Sequence, residues 1–453
     1  MAMAEPPTGI LGFGRTGAST ARALMASGQA VVVWDDRAAG RSAAAASGFA
    51  VRELAPPLAR IVASPGVMPT HPQLRAAAAA GIPVCGDIDE FSIRLARDPD
   101  APTLTIGVTG TNGKSSVVGM IDHLLRAAGR TCAAGGNLGT PVLDLPRLAD
   151  GVYVLELSSF QLARCREFRP DVALLLNLGT DHLDWHGTRH AYVAAKEKIF
   201  QTQRPDDIAV VCIDDADGLR IRNRLADRPD APRVVAVSAH QRCKGGVWVE
   251  DGVLHEDLDG GHRAIGSMES LLRVAGKHNW QNAVAAWAAA RSVGAGPDDL
   301  MPALANFRGL PHRMEQLASV AGVSFINDSK ATNVAAAAAA LACFEQVCWV
   351  AGGRGKNEEL DPLLQLAHRV DAGFFFGEDG PVFEAAFAAR VPVFRFEHLD
   401  AAVTSAFAKA RCGMPPQPVL LSPACASYDQ FVDFEARGEA FRDVVEALAR
   451  SEP

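Results

Sequence analysis

Short apolar runs alternate with longer amphipathic or alanine-rich stretches along the whole chain. Apolar runs at 9–13 and 30–34, separated by an alanine-rich helical stretch, predict an opening βαβ unit. The run 103–109 leads into a glycine loop and then a predicted helix over 115–128. Further strands are predicted at 152–157, 172–178, 208–213 and 234–237. After Phe307 a third block predicts strands at 323–326, 348–351, 373–376, 391–396 and 419–421, with an alanine-rich helix over 333–344. Nearly continuous apolar runs bounded by turn formers suit parallel strands covered on both faces, because neither side of such a strand meets water.

Two stretches combine turn formers with a change of pattern: Arg97-Asp98-Pro99-Asp100-Ala101-Pro102 and Gly309-Leu310-Pro311. They predict an α/β chain of three domains in series, at 1–97, 98–308 and 309–453. The alanine-rich tracts read as helix formers, and no internal repeat of solenoid period is present.

Composition narrows the partners. The 453 residues are 48% hydrophobic and 21% charged, with a formal net charge of -8. A nucleic-acid-binding surface would need a basic excess, so nucleic acid is not expected as a partner, although a local basic pocket for phosphates remains allowed. No apolar run reaches the roughly 18–20 residues of a membrane span. Residues 1–8 lack the positive n-region and apolar core of a secretory signal. The expectation is a cytoplasmic chain without membrane association, working as a monomer. None of the nine cysteines forms a CxxC pair. Buried free thiols in a reducing compartment are expected rather than a zinc cluster or redox dithiol.

The candidate chemistry centres on Gly110-Thr111-Asn112-Gly113-Lys114-Ser115-Ser116, between a predicted strand and a predicted helix. Glycines let backbone N–H groups turn toward phosphate oxygens, and the helix offers its positive end. Lys114 can reach the β and γ phosphates, and Ser115 can place a hydroxyl on Mg²⁺. The strict spacing would have glycine at Val108, so the loop is a variant. A second loop, Gly12-Phe13-Gly14-Arg15-Thr16-Gly17, follows the first strand, and Asp35 ends the next. This predicts a site for a diphosphate-bearing nucleotide, either a dinucleotide with Asp35 on a ribose hydroxyl or a uridine diphosphate sugar.

Glu156 interrupts an apolar strand, where an unpaired carboxylate would be costly to bury and a metal would resolve the cost. Asn177-Leu178-Gly179-Thr180-Asp181-His182 ends the following strand in the same way. With Ser115, these residues could supply oxygen and nitrogen ligands around one point, chiefly for Mg²⁺. Lys196, in Tyr192-Val193-Ala194-Ala195-Lys196-Glu197-Lys198, reads by itself as a solvated helix lysine.

Taken together, these motifs resemble the Mur ligases, cytoplasmic enzymes of peptidoglycan precursor synthesis. The resemblance spans nearly the whole chain. It includes Thr109 with the phosphate loop, Leu155-Glu156-Leu157-Ser158-Ser159-Phe160-Gln161-Leu162, Thr180-Asp181-His182 and Gly276-Lys277-His278-Asn279-Trp280-Gln281-Asn282. It continues through Leu310-Pro311-His312-Arg313, Asn327-Asp328-Ser329-Lys330-Ala331-Thr332-Asn333 and Ser422-Pro423-Ala424-Cys425-Ala426-Ser427. It implies a Rossmann-like first domain, a central P-loop ATPase-like domain and a Rossmann-like third domain.

By that resemblance Gly14, Arg15, Thr16, Asp35, Asp36, Arg37, Ser64, Gly66, Asn137, Ser158 and Gln161 would bind a UDP-linked substrate. ATP would contact the phosphate loop, Asn279, Asn282, Arg313, Asp328 and Lys330. Ser115, Glu156 and His182 would hold Mg²⁺, joined by Lys196 after CO₂ converts its amine to a carbamate. Thr332, Lys356, Ser427, Tyr428 and Phe434 would hold the incoming amino acid. Tyr428 departs from the Leu or Phe of relatives. Asp328-Ser329-Lys330-Ala331 stands where branches adding other amino acids usually show Asp-Tyr-(Gly/Ala)-His, which favours glutamate. Residue types leave D- and L-glutamate both open, the resemblance favouring D-glutamate added to UDP-N-acetylmuramoyl-L-alanine. An NAD-dependent oxidoreductase is the remote alternative, against which the second glycine loop argues.

Overall fold

The computed structural model describes residues 5–96, 103–137, 139–272, 278–355 and 359–452. Residues up to Leu272 together with the segment ending at Phe307 form one compact unit, and Arg308 onward forms a second.

The first unit holds two sheets. One is wholly parallel, in the order Ala50–Val51, Val31–Trp34, Thr8–Leu11, Arg60–Ala63, Val84–Cys85. The other has nine strands. Its parallel part runs Cys132–Gly136, Gly151–Glu156, Thr103–Thr109, Val172–Leu175, Ile208–Cys212, Arg233–Ser238, Val247–Glu250, and Val253–Glu256 and Arg263–Ser267 continue it antiparallel. The helix Lys114–Ala127 buries Val117, Val118, Ile121, Leu124 and Leu125. Helix His278–Ser292 packs against it, with the alanines from Ala285 to Ala290 wholly buried around Trp287. Small side chains let these helices and the sheet approach closely, which explains a buried helix made largely of alanine.

The second unit is a six-stranded sheet ordered Glu315–Val320, Val323–Asn327, Val419–Leu421, Val347–Gly352, Val370–Phe376, Val393–Arg395. Only the first of these strands runs antiparallel to its neighbour.

The apolar runs locate the buried strands but overshoot their ends. The run 9–13 stops at Leu11, because Gly12 turns the chain at φ 88°. The run 172–178 stops at Leu175, where the chain leaves the ladder to meet the phosphate loop. The helix predicted over 333–344 spans Val334–Leu341, with Asn333 as its cap, accepting from the Ala336 amide at 2.8 Å. Cys132–Gly136 carries too little apolar bulk to announce a buried strand, and Val247–Glu250, Val253–Glu256, Arg263–Ser267 and Glu315–Val320 lie toward sheet edges with mixed polarity.

All nine cysteines are free, six of them buried as expected, but Cys412 is exposed. No helix among the described residues is long and apolar enough to cross a membrane. The predicted boundary at 97–102 lies outside the described residues.

Candidate functional site

The phosphate loop leaves the carboxyl end of Thr103–Thr109, flanked in the sheet by Gly151–Glu156 and Val172–Leu175. The chain runs from this strand past its neighbour to Cys132–Gly136 and returns on both sides. Such a reversal opens a crevice at the strand ends.

The segment after Val172–Leu175 braces the loop. Thr111 N–H donates to the Asn177 carbonyl at 2.8 Å, and Asn112 N–H to Asn177 Oδ1 at 2.8 Å. Gly179 N–H donates to Thr111 Oγ1 at 2.8 Å, and the Tyr192 hydroxyl lies 2.9 Å from the same oxygen. Gly113 sits at φ 84°, and a Cβ there would meet Asn282 Oδ1 at 2.4 Å. Both backbone conformation and space therefore demand glycine. The Lys114 ammonium folds over its own loop, donating to Gly110 O at 2.9 Å and Thr111 O at 2.8 Å.

Glu156, 4% exposed, ends the neighbouring strand. Ser115 Oγ donates to its Oε2 at 2.5 Å, and Asn137 Nδ2 to its Oε1 at 2.8 Å. Hydrogen bonds thus offset much of the cost of burying this carboxylate. A carboxylate offers about four lone-pair sites, so acceptor capacity remains for a cation.

Lys196 overturns its reading as a solvated helix lysine. It lies on helix Arg189–Glu197, is 2% exposed, and donates to Gly110 O at 2.7 Å. Its nitrogen stands 4.8 Å from the Tyr192 ring centre. Burial, and then the positive charge of Lys114, push its pKa down to about 6. Near neutral pH the side chain is therefore chiefly a free amine. Helical periodicity hid this residue because its hydrogen-bond partner, Gly110, belongs to the distant phosphate loop.

His182 packs its ring beside those of Phe160 and Tyr192. It takes φ 51° at the start of the turn Leu183–His186, lies beside Asp181 at 3.3 Å, and sets its ring 4.6 Å from that of Phe160. Among the described residues no group of three or more His, Cys, Asp or Glu converges as a metal cage. The helix carrying Asn279 and Asn282 buries both, with Asn282 Nδ2 donating to Asn279 Oδ1 at 3.0 Å. Gln281, not singled out from the sequence, links Asn177 at 3.1 Å to Asp214 at 3.0 Å.

A cavity of about 590 Å³ opens at the carboxyl ends of the first sheet. Gly14, Arg15, Thr16, Asp35, Asp36, Arg37, Ser64, Gly66, Asn137 and Gln161 all line it. Ser158 does not; its hydroxyl caps helix Ser159–Arg164 and bonds Gln161 Oε1 at 3.0 Å. Asp35 accepts from the Phe13 amide at 2.7 Å and the Arg37 amide at 2.8 Å, and from the Arg37 guanidinium at 3.1 Å. Burial alone would raise its pKa, but the Arg37 side chain and the two amides outweigh it and hold the carboxyl at about 2. Asp35 therefore fastens the glycine loop to the next strand. His71, also missed, lines the cavity and meets Asp36 at 3.0 Å.

In the second unit Asp328 follows strand Val323–Asn327. It accepts from Ser422 Oγ at 2.8 Å and from the Met314 amide at 3.2 Å. Burial raises its pKa to about 7 despite those bonds and the neighbouring Arg313. The Lys330 ammonium lies 3.7 Å over the Phe434 ring, and Thr332 N–H donates to Lys330 O at 2.8 Å. Ser427 is buried and Tyr428 exposed, just beyond an isolated bridge pairing Arg354 with Ala426. Lys356 lies outside the described residues.

Three family models match the chain: the Mur ligase MurD-like N-terminal domain over 7–86, the Mur ligase middle domain over 108–290, and the Mur ligase glutamate ligase domain over 312–425. A Phenylobacterium zucineum protein named UDP-N-acetylmuramoylalanine–D-glutamate ligase is 41% identical over 451 residues, covering 97% of this chain and 96% of that protein. A Rhodospirillum rubrum protein of the same name is 42% identical over 458 residues, covering 98% and 95%. Among solved structures, the UDP-N-acetylmuramate–alanine ligase MurC of Thermotoga maritima aligns with a TM-score of 0.58 at 17% identity, covering 98% of this chain and all of that one. The MurF ligase of Thermotoga maritima in complex with ADP aligns with a TM-score of 0.54 at 19% identity, covering 87% and 89%. At such identities the two structures speak for the fold alone.

Proposed function

The chain belongs to the Mur ligase family, and from that premise we propose that it joins D-glutamate to UDP-N-acetylmuramoyl-L-alanine at the expense of ATP, giving ADP and phosphate. This places it in peptidoglycan precursor synthesis. Near-full-length similarity, at 41% and 42% identity, to two proteins bearing that activity's name supports the choice of amino acid and acceptor. For the chemistry, one observation carries the reading: Ser115 and Glu156 meet at 2.5 Å beside a phosphate loop that already holds Lys114.

A carboxylate does not acylate an amine unaided, because oxide is a poor leaving group. In our reading ATP phosphorylates the alanyl carboxylate, and the free amine of D-glutamate attacks the acyl phosphate carbon. The tetrahedral adduct then expels phosphate and leaves an amide. Loop amides, the helix start and Lys114 would face the charge of the transferring phosphoryl group. Holding amine and acyl carbon in line would supply several kcal/mol of the barrier reduction.

The donor set fits Mg²⁺: a serine hydroxyl and a carboxylate with spare lone pairs, next to a buried amine that a carbamate would turn into a third oxygen ligand. Bound there, Mg²⁺ would neutralise phosphate charge. His182, beside Asp181 and Phe160, would offer the set a nitrogen ligand.

The cavity of the first sheet would take the UDP moiety, with Arg15, Arg37, Asn137 and Gln161 as donors. Thr332, Lys356, Ser427, Tyr428 and Phe434 would receive glutamate, and Asn279, Asn282, Arg313, Asp328 and Lys330 would contact ATP.

The deciding experiment measures phosphate release from ATP with UDP-N-acetylmuramoyl-L-alanine, comparing D- with L-glutamate. The reading expects turnover with the D-isomer. Turnover with L-glutamate alone would reassign the amino acid, and none with either would defeat the proposal.

A further inference from the structure

We propose that Arg164 and Trp185 are positioning residues for the diphosphate of the UDP-linked substrate, acting through the main chain of residues 64–67. The inference rests on assigning the 590 Å³ cavity to that substrate.

Ser64 and Gly66 line the cavity on a tight turn, in which Val67 N–H donates to Ser64 O at 3.0 Å. Arg164, the last residue of helix Ser159–Arg164, grips this turn by its oxygens. Its Nη1 donates to Ser64 O at 2.7 Å and Pro65 O at 3.1 Å, and its Nη2 donates to Val67 O. Trp185 Nε1 donates to the same Val67 oxygen at 3.2 Å, and the guanidinium lies 5.3 Å from the Trp185 ring centre. Burial lowers the Arg164 pKa only to about 10, so the side chain stays charged. Its hydrogen bonds go to carbonyl oxygens rather than to a carboxylate, an expensive way to use a partly buried cation unless the loop's placement matters.

Peptide geometry supplies the consequence. The C=O and N–H of a trans peptide point in opposite directions. Pro65 and Gly66 share one such unit. With the Pro65 oxygen drawn to Arg164, the Gly66 N–H faces away from Arg164, and no group among the described residues accepts it. A cation on the oxygen also polarises the peptide and strengthens its N–H as a donor. A diphosphate oxygen is the acceptor such a donor suits. Gln161, one helical turn before Arg164, already lines the same cavity.

The test is steady-state kinetics of Arg164→Ala, Arg164→Lys and Trp185→Phe with each substrate varied in turn, alongside thermal melts. Arg164→Ala is expected to raise KM for the UDP substrate about tenfold while KM for ATP and for D-glutamate stay within about twofold. Arg164→Lys should fall between, since a single ammonium nitrogen keeps the charge but lacks the rigid planar pair of nitrogens that spans these oxygens. Trp185→Phe keeps an aromatic ring, loses the N–H, and should raise the same KM a few-fold. Added guanidinium should restore part of the loss in Arg164→Ala. An unchanged KM for the UDP substrate would overturn the proposal, as would a parallel rise in all three KM values with a lowered melting temperature. If the unmodified protein shows no saturable response to the UDP substrate, the assignment of the cavity itself falls, and the positioning role with it.

Discussion

Ser115 Oγ donates to Glu156 Oε2 across 2.5 Å, tying the first turn of the phosphate-loop helix to the end of the neighbouring strand. The opposite oxygen of Glu156 holds Asn137, a residue that also lines the 590 Å³ cavity of the first sheet. One carboxylate thus connects the phosphate loop with the edge of that cavity.

Glu156→Gln tests that junction. The amide keeps the volume, can still accept from Asn137 and can turn its NH2 toward the Ser115 hydroxyl, but it removes the negative charge. Phosphate release is expected to fall at least about 100-fold, or roughly 3 kcal/mol of barrier, with little change in melting temperature. Activity within a few-fold of the unmodified protein would remove Glu156 from the phosphoryl-transfer machinery.

Lys196→Ala probes the buried amine on Gly110 O. If a carbamate at this nitrogen supplies a metal ligand, the variant is nearly inactive and short carboxylic acids restore part of the activity by entering the vacated space. Alanine at a helix position costs little backbone stability, so circular dichroism should remain unchanged. Full activity without added acid would exclude the carbamate role.

Lys196 also marks where sequence reasoning reaches its end. Strand cores were legible because a parallel strand buried on both faces is predominantly apolar or β-branched, and Thr103–Thr109 and Val419–Leu421 match their runs residue for residue. The phosphate loop was legible because its glycines answer a local backbone demand. Lys196 has one local neighbour, Tyr192 one helical turn earlier, but its burial also depends on Gly110, 86 positions away, which no local pattern records. Arg164 and Trp185 escaped for the same reason: their partners at 64–67 lie about a hundred residues earlier. Asp35 shows the converse case. Its position after a glycine loop was legible, but its bonds to Phe13 and Arg37 give it a loop-fastening task that the motif does not announce.

Asp87 should make stability depend on pH in an unusual direction. It is buried, its Oδ2 accepts from Gln161 Nε2 at 2.9 Å, and its Oδ1 has no partner. Burial raises its pKa from 3.8 to about 6 against the pull of the Gln161 hydrogen bond, with neighbouring Asp89 adding to the rise. Between those two values the folded protein binds more protons than the unfolded chain, so this group's contribution to stability falls as pH rises from about 4 to about 6. Asp87→Asn stays neutral and keeps the acceptor for Gln161. Urea denaturation should show it more stable than the unmodified protein by about 1–3 kcal/mol at pH 7.5, with the difference shrinking toward pH 4. A variant less stable at pH 7.5 would mean that the charged carboxylate is the better fit.

Gly438 gives a prediction in the second unit that runs against helix propensity. It sits inside helix Phe434–Ser451, where alanine would ordinarily add up to about 1 kcal/mol. A Cβ at this position would meet His312 Nδ1 at 2.1 Å. His312 cannot readily yield. It is buried at φ 61°, takes a hydrogen bond from Asn327 Nδ2 at 3.0 Å, and lies 3.3 Å from Glu439. Asn327 Nδ2 in turn reaches the Gly438 carbonyl at 3.0 Å, so displacing the imidazole loosens a knot that fixes the segment before Asp328. Gly438→Ala is therefore expected to destabilise by about 1–3 kcal/mol despite the gain in propensity. In a His312→Ala background the clash disappears, and the same substitution should become neutral or stabilising. Denaturant curves for the four proteins of this double-mutant cycle decide the matter: equal costs of Gly438→Ala in both backgrounds would show that the imidazole is not what holds position 438 to glycine.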